Sequence, residues 1–331
     1  MKLFNRISIL VLFLSFSVIL AGSVVRMTGS GMGCPDWPKC FGQYIPPTDI
    51  SQLPPNYKIL FAVQGKEIAD FDAFKTWVEY INRLLGAILG LAIIVLTAIS
   101  IRLFKIDKVL ALLSAALLVV TGFVGWLGSV VVATDLEPVK ITFHMLSSVV
   151  IIGLAVTLTF RSNHLTMDTV EENNHSRVVL PSFLPYIIVI SLVFTILQII
   201  LGTQVREQID IIAKQLEGRW RERWIEQLDS IFLVHRSMSW GIVITFGVYV
   251  WSLLKNIGLR NDRNSIQFRR LIMGLCTVIV FEIGLGVTMN YFAIPKAAQP
   301  LHLLSAMIIF AMQWWCLLLH GNFSRIEKKS P

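Results

Sequence analysis

Apolar residues along the chain form long continuous stretches, and polar residues collect in the segments between them. A helix needs about 20 apolar residues to cross the roughly 30 Å of hydrocarbon in a bilayer, whereas the strands of a membrane barrel alternate apolar and polar positions. Helices also satisfy their own backbone hydrogen bonds inside lipid. The pattern predicts an all-α integral membrane protein with eight transmembrane helices, at residues 7–25, 79–101, 109–132, 139–160, 184–204, 232–254, 270–290 and 300–320.

Short motifs recur in the two halves of the chain, near matching ends of the predicted helices. The matched pairs are LAGSVVR (20–26) and ILGTQVR (200–206), LGSV (127–130) and LGVT (285–288), and HMLSS (144–148) and HLLSA (302–306). The second and third pairs share one offset of 158 residues, which is hard to obtain by chance. We therefore predict two tandem pseudo-symmetric four-helix bundles, residues 1–160 and 184–331, joined by a cytoplasmic linker at 161–183. Because each half holds an even number of helices, both halves enter the membrane in the same direction.

Composition agrees with the membrane assignment, and the charge distribution suggests a topology. Apolar residues make up 55% of the chain and charged residues 15%, with a mean hydropathy of +0.68, far from the balance of a soluble domain. The net charge of +8 is interpreted as topology and not as nucleic-acid binding, because basic residues concentrate in cytoplasmic segments of membrane proteins. We expect both termini in the cytoplasm and the protein in the inner (cytoplasmic) membrane of a bacterium, surrounded by the lipid bilayer.

Three of the six histidines lie within the predicted helices near their outer ends. His144 and His302 occupy equivalent positions in the fourth and eighth helices, and His235 opens the sixth within VHRSMSW. Ionisable residues inside membranes are rare and usually face the interior of the bundle. Two histidines on facing helices can ligate a haem iron from both sides, so we predict that His235 and His302 do so in the second half.

The repeat places a different residue in the first half. The position that matches His235 is Asn82, within the stretch EYINRLLG, and a carboxamide is a poor iron ligand. Glu79, Asn82 and Arg83 share one face of a helix because they are three and four positions apart. The first half therefore has one evident axial histidine, His144.

Four arginines lie at matched positions near these residues. They are Arg26, Arg83, Arg206 and Arg236. Arginine binds carboxylates in a forked geometry, so we interpret the four as candidate ligands of haem propionates. Snorkelling of each side chain to the membrane interface is the alternative.

Six motifs carry a resemblance that covers nearly the whole chain. They are GSVVRMTGSGMGCPDWPKCFGQYIPP after the first predicted helix, EYINRLLG, FHMLSS, GTQVRE, VHRSMSW and LHLLSA. With these motifs the chain resembles the haem A synthase family, and TGSGMGCPDWPKC is the most specific part of the match.

This resemblance implies oxidation of a methyl group on haem O to a formyl group, giving haem A for terminal oxidases. It implies that the second half binds an electron-transferring haem b through His235 and His302, and that the first half holds haem O, and then haem A, beside His144. It also implies that Glu79 is important for activity, and a carboxyl group near a haem edge could relay protons. Apart from the family, a carboxylate at this position is favoured by the helix dipole. Haem O synthase and the terminal oxidase assembly machinery are the implied partners, and a homo-oligomer stays open.

Asn82 is the departure from the family, whose E-x-x-H-R motif has histidine there. In one account the iron of the substrate haem is five-coordinate through His144 and keeps its sixth position free for oxygen or peroxide. In the other, the first half holds a haem without performing the reaction. We favour the first account because Glu79, Arg83 and His144 persist.

Cys34 and Cys40 bracket PDWPK in the first outer segment, where an oxidising compartment allows a disulfide. Closing so small a loop stabilises it by roughly 2 kcal/mol in the chain-entropy model. We expect a structural staple, with redox action as the alternative. The second outer segment, 205–231, has no cysteine and is predicted to be an amphipathic helix lying over the outer haem edge.

Two functions from other classes compete with the enzyme. A membrane haem-b electron-transfer protein would use the same histidines and leave haem O unchanged. A repeat-built membrane transporter would explain the two halves without requiring histidines at matched depth. Glu282, inside the seventh predicted helix, either hydrogen-bonds a neighbouring helix or assists a proton path, and we assign it no catalytic role.

Overall fold

A computed structural model describes residues 1–167, 181–257 and 263–327. Within these ranges it contains eight helices long and apolar enough to cross a membrane. They are α1 (Lys2–Met27), α2 (Ala73–Arg102), α3 (Lys108–Ala133), α4 (Pro138–Met167), α5 (Leu184–Gln215), α6 (Ser230–Ile257), α7 (Arg263–Tyr291) and α8 (Ala298–Glu327). The predicted all-α multi-pass membrane fold is confirmed. Most of the predicted linker, residues 168–180, lies outside the described residues.

Aspartates set where two of the helices begin. The Asp72 carboxylate accepts a hydrogen bond from the N–H of Lys75 at 3.1 Å, and Asp107 accepts one from Val109 at 2.8 Å. Such N-caps satisfy backbone donors that have no partner inside the helix. The cap at Asp72 explains why α2 begins six residues before the apolar stretch that predicted it.

The segment after α5 differs from its prediction. We predicted an amphipathic helix over 205–231, but α5 itself continues to Gln215, and two short 3₁₀ turns, Arg221–Arg223 and Ile225–Gln227, precede α6. The helix ends because Glu217 and Gly218 take positive φ values of 50° and 74°, outside the right-handed helical region. The prediction of one continuous helix was wrong.

Contacts between Cα atoms divide the chain into two compact units. Unit 1 spans Met1–Leu158 with Gln299–Leu301, and unit 2 spans Thr159–Ala298 with His302–Pro331. Within unit 1, α1 packs along α2, and α2 packs against α3. Within unit 2, α5 packs along α6, and α6 contacts α7. These pairings bring the repeated motifs of adjacent helices side by side.

Each unit has its own apolar clusters. In unit 2, α5, α6, α7 and α8 share a buried cluster that includes Leu184, Tyr249 and Leu275. In unit 1, the loop before α2 has a small core of its own, in which Cys34, Cys40, Phe41 and Tyr57 are buried. The loop is therefore a packed structure, and it can hold a fixed position over the end of α2.

Candidate functional site

The two histidines of unit 2 face each other from α6 and α8. The ring centres of His235 and His302 lie 6.4 Å apart, and the ring planes are inclined at 80°. Two imidazoles bound to one metal from opposite sides, with metal–nitrogen bonds of about 2 Å, have ring centres about 6 Å apart. The spacing therefore suits a single metal atom between the two rings.

A glycine on a neighbouring helix packs against each of these histidines. A Cβ added to Gly202 on α5 would lie 3.5 Å from Cε1 of His235, and one added to Gly286 on α7 would lie 3.7 Å from Cε1 of His302. A side chain larger than a methyl group at either glycine would enter the space of the ring. We call each of these glycines, with the space that it leaves for the ring beside it, a seat.

Unit 1 repeats this arrangement with one substitution. A Cβ on Gly128 of α3 would lie 3.4 Å from Cε1 of His144, and a Cβ on Gly22 of α1 would lie 3.7 Å from Oδ1 of Asn82. Asn82 therefore occupies the place in unit 1 that His235 occupies in unit 2. The glycine seat is retained, although the imidazole is not.

The side chains on these four seats have polar atoms that are buried and unsatisfied. Nδ1 of His144, His235 and His302 and Oδ1 of Asn82 are buried, and within the described part of the chain none of them makes a regular hydrogen bond, although Nδ1 of His302 lies 3.1 Å from Oε1 of Glu282. Native proteins seldom leave buried polar atoms in that state. An iron atom bound at Nε2 would leave Nδ1 without a partner, so the observation that fits a haem is the 6.4 Å between the ring centres of His235 and His302. The residues present fit a haem with two axial imidazoles in unit 2 and a haem with one in unit 1.

Glu282 on α7 lies beside His302. Its Oε1 is 3.1 Å from Nδ1 of His302. Its Oε2 accepts a hydrogen bond from the hydroxyl of Ser305 on α8. Of the two alternatives predicted for Glu282, the structure shows the hydrogen bond to a neighbouring helix.

Glu79 and Arg83 on α2 hold the loop that precedes this helix. Oε1 of Glu79 lies 2.5 Å from Nη2 of Arg83, and Oε2 accepts a hydrogen bond from the N–H of Cys34 at 2.9 Å. Arg83 also donates hydrogen bonds to the carbonyls of Cys34, Asp36 and Lys39 at 2.8, 2.6 and 3.0 Å. Glu79 is only 4% exposed. The two side chains therefore fix the loop to the end of α2.

The loop is closed by the predicted disulfide between Cys34 and Cys40, whose Cα atoms lie 4.8 Å apart. Asp36, inside the ring, accepts hydrogen bonds from the N–H groups of Phe41 and Gly42 at 2.6 and 2.8 Å. Gly33 lies directly on α2, since a Cβ there would come within 2.5 Å of the Lys75 carbonyl oxygen. Only glycine allows this approach. Close packing against α2 therefore explains the glycine before Cys34 in the GMGC segment.

The four candidate propionate ligands have different surroundings. Arg83 already uses both terminal nitrogens on loop carbonyls and Glu79, so a propionate would have to displace one of these partners. Arg206 pairs with Asp210 at 2.8 Å. Arg236 is exposed, and Arg26 lies in the last turn of α1. Propionate binding by these residues stays a prediction.

The sequence interpretation missed the role of the seat glycines and the contact of Glu282 with His302. The signal for the glycines was present, because each belongs to a repeated motif: LAGSVVR, ILGTQVR, LGSV or LGVT. By themselves, those motifs indicate only the repeat. The contact between a glycine and a histidine depends on which helices pack together, and the motifs do not indicate this pairing.

A sequence model described as cytochrome oxidase assembly protein matches residues 5–314. The chain belongs to this family. Several of its curated relatives are named heme A synthase. The one from Bartonella bacilliformis is 23% identical over 330 residues, covering 92% of this chain and 89% of the relative. The one from Flavobacterium psychrophilum is 23% identical over 343 residues, covering 92% and 94%.

The relative from Shewanella oneidensis, also named heme A synthase, is 31% identical over 145 residues, covering 44% of this chain and 41% of its own length. Together with the family match, these relatives confirm the resemblance to the haem A synthase family. The haem A synthase family places this chain in haem A synthesis and cytochrome oxidase assembly, as an oxidoreductase in general terms. Eight apolar helices make it a multi-pass membrane protein.

Proposed function

We propose that the protein oxidises a methyl group of haem O to a formyl group, giving haem A for a terminal oxidase. Written as a half-reaction, methyl and water give formyl, four protons and four electrons. The protein must therefore hold its substrate close to groups that accept protons and electrons. The observation that carries the proposal is the glycine-seated pair His235 and His302, with ring centres 6.4 Å apart, in the same chain as the matching seats of His144 and Asn82.

In unit 2, His235 and His302 would hold a resident haem b. When bound, haem b supplies one-electron transfer, at a potential set by its axial ligands and their surroundings. Gly202 and Gly286 keep space for the two rings. Gln198 on α5 donates a hydrogen bond to the carbonyl of His235 at 2.7 Å, which fixes the backbone of α6 at the ligand.

In unit 1, His144 would bind the iron of the substrate haem, and Asn82 stands at the position that His235 has in unit 2. A carboxamide does not compete with imidazole for iron, so the substrate would have one imidazole ligand, from His144. We retain the first of the two accounts of Asn82, in which the second side stays open to oxygen or peroxide, because Glu79, Arg83 and His144 are all present.

Glu79 is the residue that we propose moves protons near the substrate. Its Oε1 is held by Arg83 and its Oε2 by the N–H of Cys34, so the carboxylate has a fixed position at the end of α2. General acid–base catalysis depends on such positioning within hydrogen-bond reach of the reacting group. We assign to Arg83 the task of orienting Glu79 and the disulfide loop.

The cellular setting follows from the same proposal. We place the protein in the inner (cytoplasmic) membrane with both termini in the cytoplasm, and domains 1–160 and 184–331 as the substrate and haem b halves. Haem O synthase would supply the substrate, and the terminal oxidase assembly machinery would receive the product. The concentration of basic residues in alternate segments supports this orientation.

The test is the identity of the haems extracted from the purified full-length protein after co-expression with a source of haem O. We expect haem A beside haem B, separated by chromatography. Glu79→Gln should abolish haem A and keep haem B, because it removes the carboxylate that we propose moves protons and leaves His235 and His302 unchanged. Glu67→Gln, an exposed position in the same loop, is the matched control and should retain haem A.

Recovery of haem B with unchanged haem O would contradict the proposal that the protein is an enzyme. Asn82 is the feature that favours this second candidate function, a membrane electron-transfer protein that binds haem b and has lost the chemistry of unit 1.

A further inference from the structure

Glu282 is a carboxylate inside a membrane-spanning helix of unit 2. Such residues are expensive in a bilayer and commonly mark a functional site. Its side chain is 17% exposed, and both oxygens contact α8: Oε1 approaches Nδ1 of His302 at 3.1 Å, and Oε2 accepts from Ser305. The carboxylate is therefore held between a candidate iron ligand and a hydroxyl one turn further along the same helix.

Unit 1 lacks this arrangement at the equivalent positions. At the common offset of 158 residues, Glu282 corresponds to Val124 and Ser305 to Ser147. His144 has only the backbone of Val124 as a polar neighbour from that position, and Ser147 donates to the carbonyl of Phe143 in its own helix at 2.8 Å. The carboxylate thus distinguishes the haem b site from the substrate site.

We propose that Glu282 is a positioning residue for His302, holding Nδ1 so that the ring presents Nε2 to the iron and lowering the potential of the haem in unit 2. The inference rests on the proposed haem b site. Ligating histidines commonly give their second nitrogen to a carboxylate, which fixes the ring and makes it a more basic ligand. A more basic ligand and a nearby negative charge both stabilise the ferric state, so the potential falls.

The ring planes offer a second, independent readout. The 80° angle between His235 and His302 predicts a strongly anisotropic low-spin ferric EPR signal, since near-perpendicular axial imidazoles leave two iron d orbitals almost equal in energy. Release of Nδ1 allows the ring of His302 to rotate and changes this signal. A residue that only stabilised the helix pair would leave both the signal and the potential where they are.

The experiment compares full-length protein and Glu282→Gln by optical redox titration, EPR and transfer of haem to a scavenging apoprotein. We expect a higher midpoint potential for the low-spin haem, a changed EPR signal and haem loss faster by about 10- to 100-fold, the range typical for lost outer-shell partners. Ser147→Ala, which alters the equivalent hydroxyl of unit 1, should change none of these.

An unchanged potential and EPR signal in Glu282→Gln would overturn the inference and leave the proposed function standing. If Glu282→Gln does not accumulate, Glu282→Asp provides the test, because the shorter side chain keeps the charge and withdraws the carboxylate from Nδ1 of His302; an unaltered EPR signal there would overturn the inference equally. Absence of any low-spin haem from the unmodified protein would instead defeat the proposed haem b site itself.

Discussion

At the scale of single residues, Asn82 matters most. It lies on the seat formed by Gly22, and its Oδ1 is buried without a hydrogen bond from the described residues. The matching seat of unit 2 carries His235. Under the proposed function, the difference between a strong and a very weak iron ligand at this one position would decide whether the haem of unit 1 has one imidazole ligand or two.

We therefore predict that Asn82→His converts the haem of unit 1 from high-spin to low-spin and slows haem A formation by at least about tenfold, or about 1.4 kcal/mol in barrier. A second imidazole would close the side of the iron that the asparagine leaves open. Optical and EPR spectra report the spin state, and haem extraction reports the product.

The reciprocal change, His235→Asn, serves as the control and should convert the haem of unit 2 from low-spin to high-spin. An Asn82→His protein that keeps a high-spin haem and full haem A formation would show that this seat does not face the iron.

At the scale of elements, the helices are paired through glycines at the candidate ligands. On α7, Gly286 faces His302, whereas Gly284, one half-turn away, has nothing within 4 Å of an added Cβ. Helix–helix packing in membranes commonly uses small residues at close contacts. In this protein, the small residue also determines where a ring can lie.

Gly286→Leu should displace His302 and lower the haem content of unit 2, with an overpacking cost of about 1–3 kcal/mol. Gly284→Leu, on the same helix but facing open space, should bind haem as the unmodified protein does. Haem-to-protein ratios and thermal unfolding of the two purified variants make the comparison. Equal haem loss from both would mean that the effect belongs to α7 as a whole.

The positions of the elements were largely predictable from the sequence, because the thickness of the bilayer fixes the length of an apolar stretch. The first and last residues of each helix were less predictable. The start of α2 depends on the side chain of Asp72, and α5 runs past its apolar stretch to Gln215 because nothing interrupts it before Glu217 and Gly218.

At the scale of the whole molecule, the chain consists of two compact units that repeat one arrangement of seats. The histidines could be chosen from the sequence, since an ionisable residue inside a membrane is itself a signal. The loop carbonyls that accept hydrogen bonds from Arg83 could not, because they lie 44 to 49 residues earlier in the chain and no local pattern connects them.

Because each unit contains its own seats, we predict that the two haems are lost independently. His144→Ala should remove one haem and keep the low-spin signal, and His302→Ala should remove the low-spin signal and keep the other haem. Haem-to-protein stoichiometry with optical spectra measures both. Loss of both haems from either variant would show that the units do not bind separately.

The anchoring of the disulfide loop has a consequence for the biogenesis of the protein. Cys34 and Cys40 are six positions apart, whereas Glu79 and Arg83 lie 45 and 49 positions after Cys34. During synthesis, the ring can be oxidised as soon as α1 has been delivered to the membrane, and its anchors arrive only with the insertion of α2. Thiol oxidation and helix insertion are therefore two separate maturation steps, and a nascent chain halted between them would carry a closed ring with nothing to hold it.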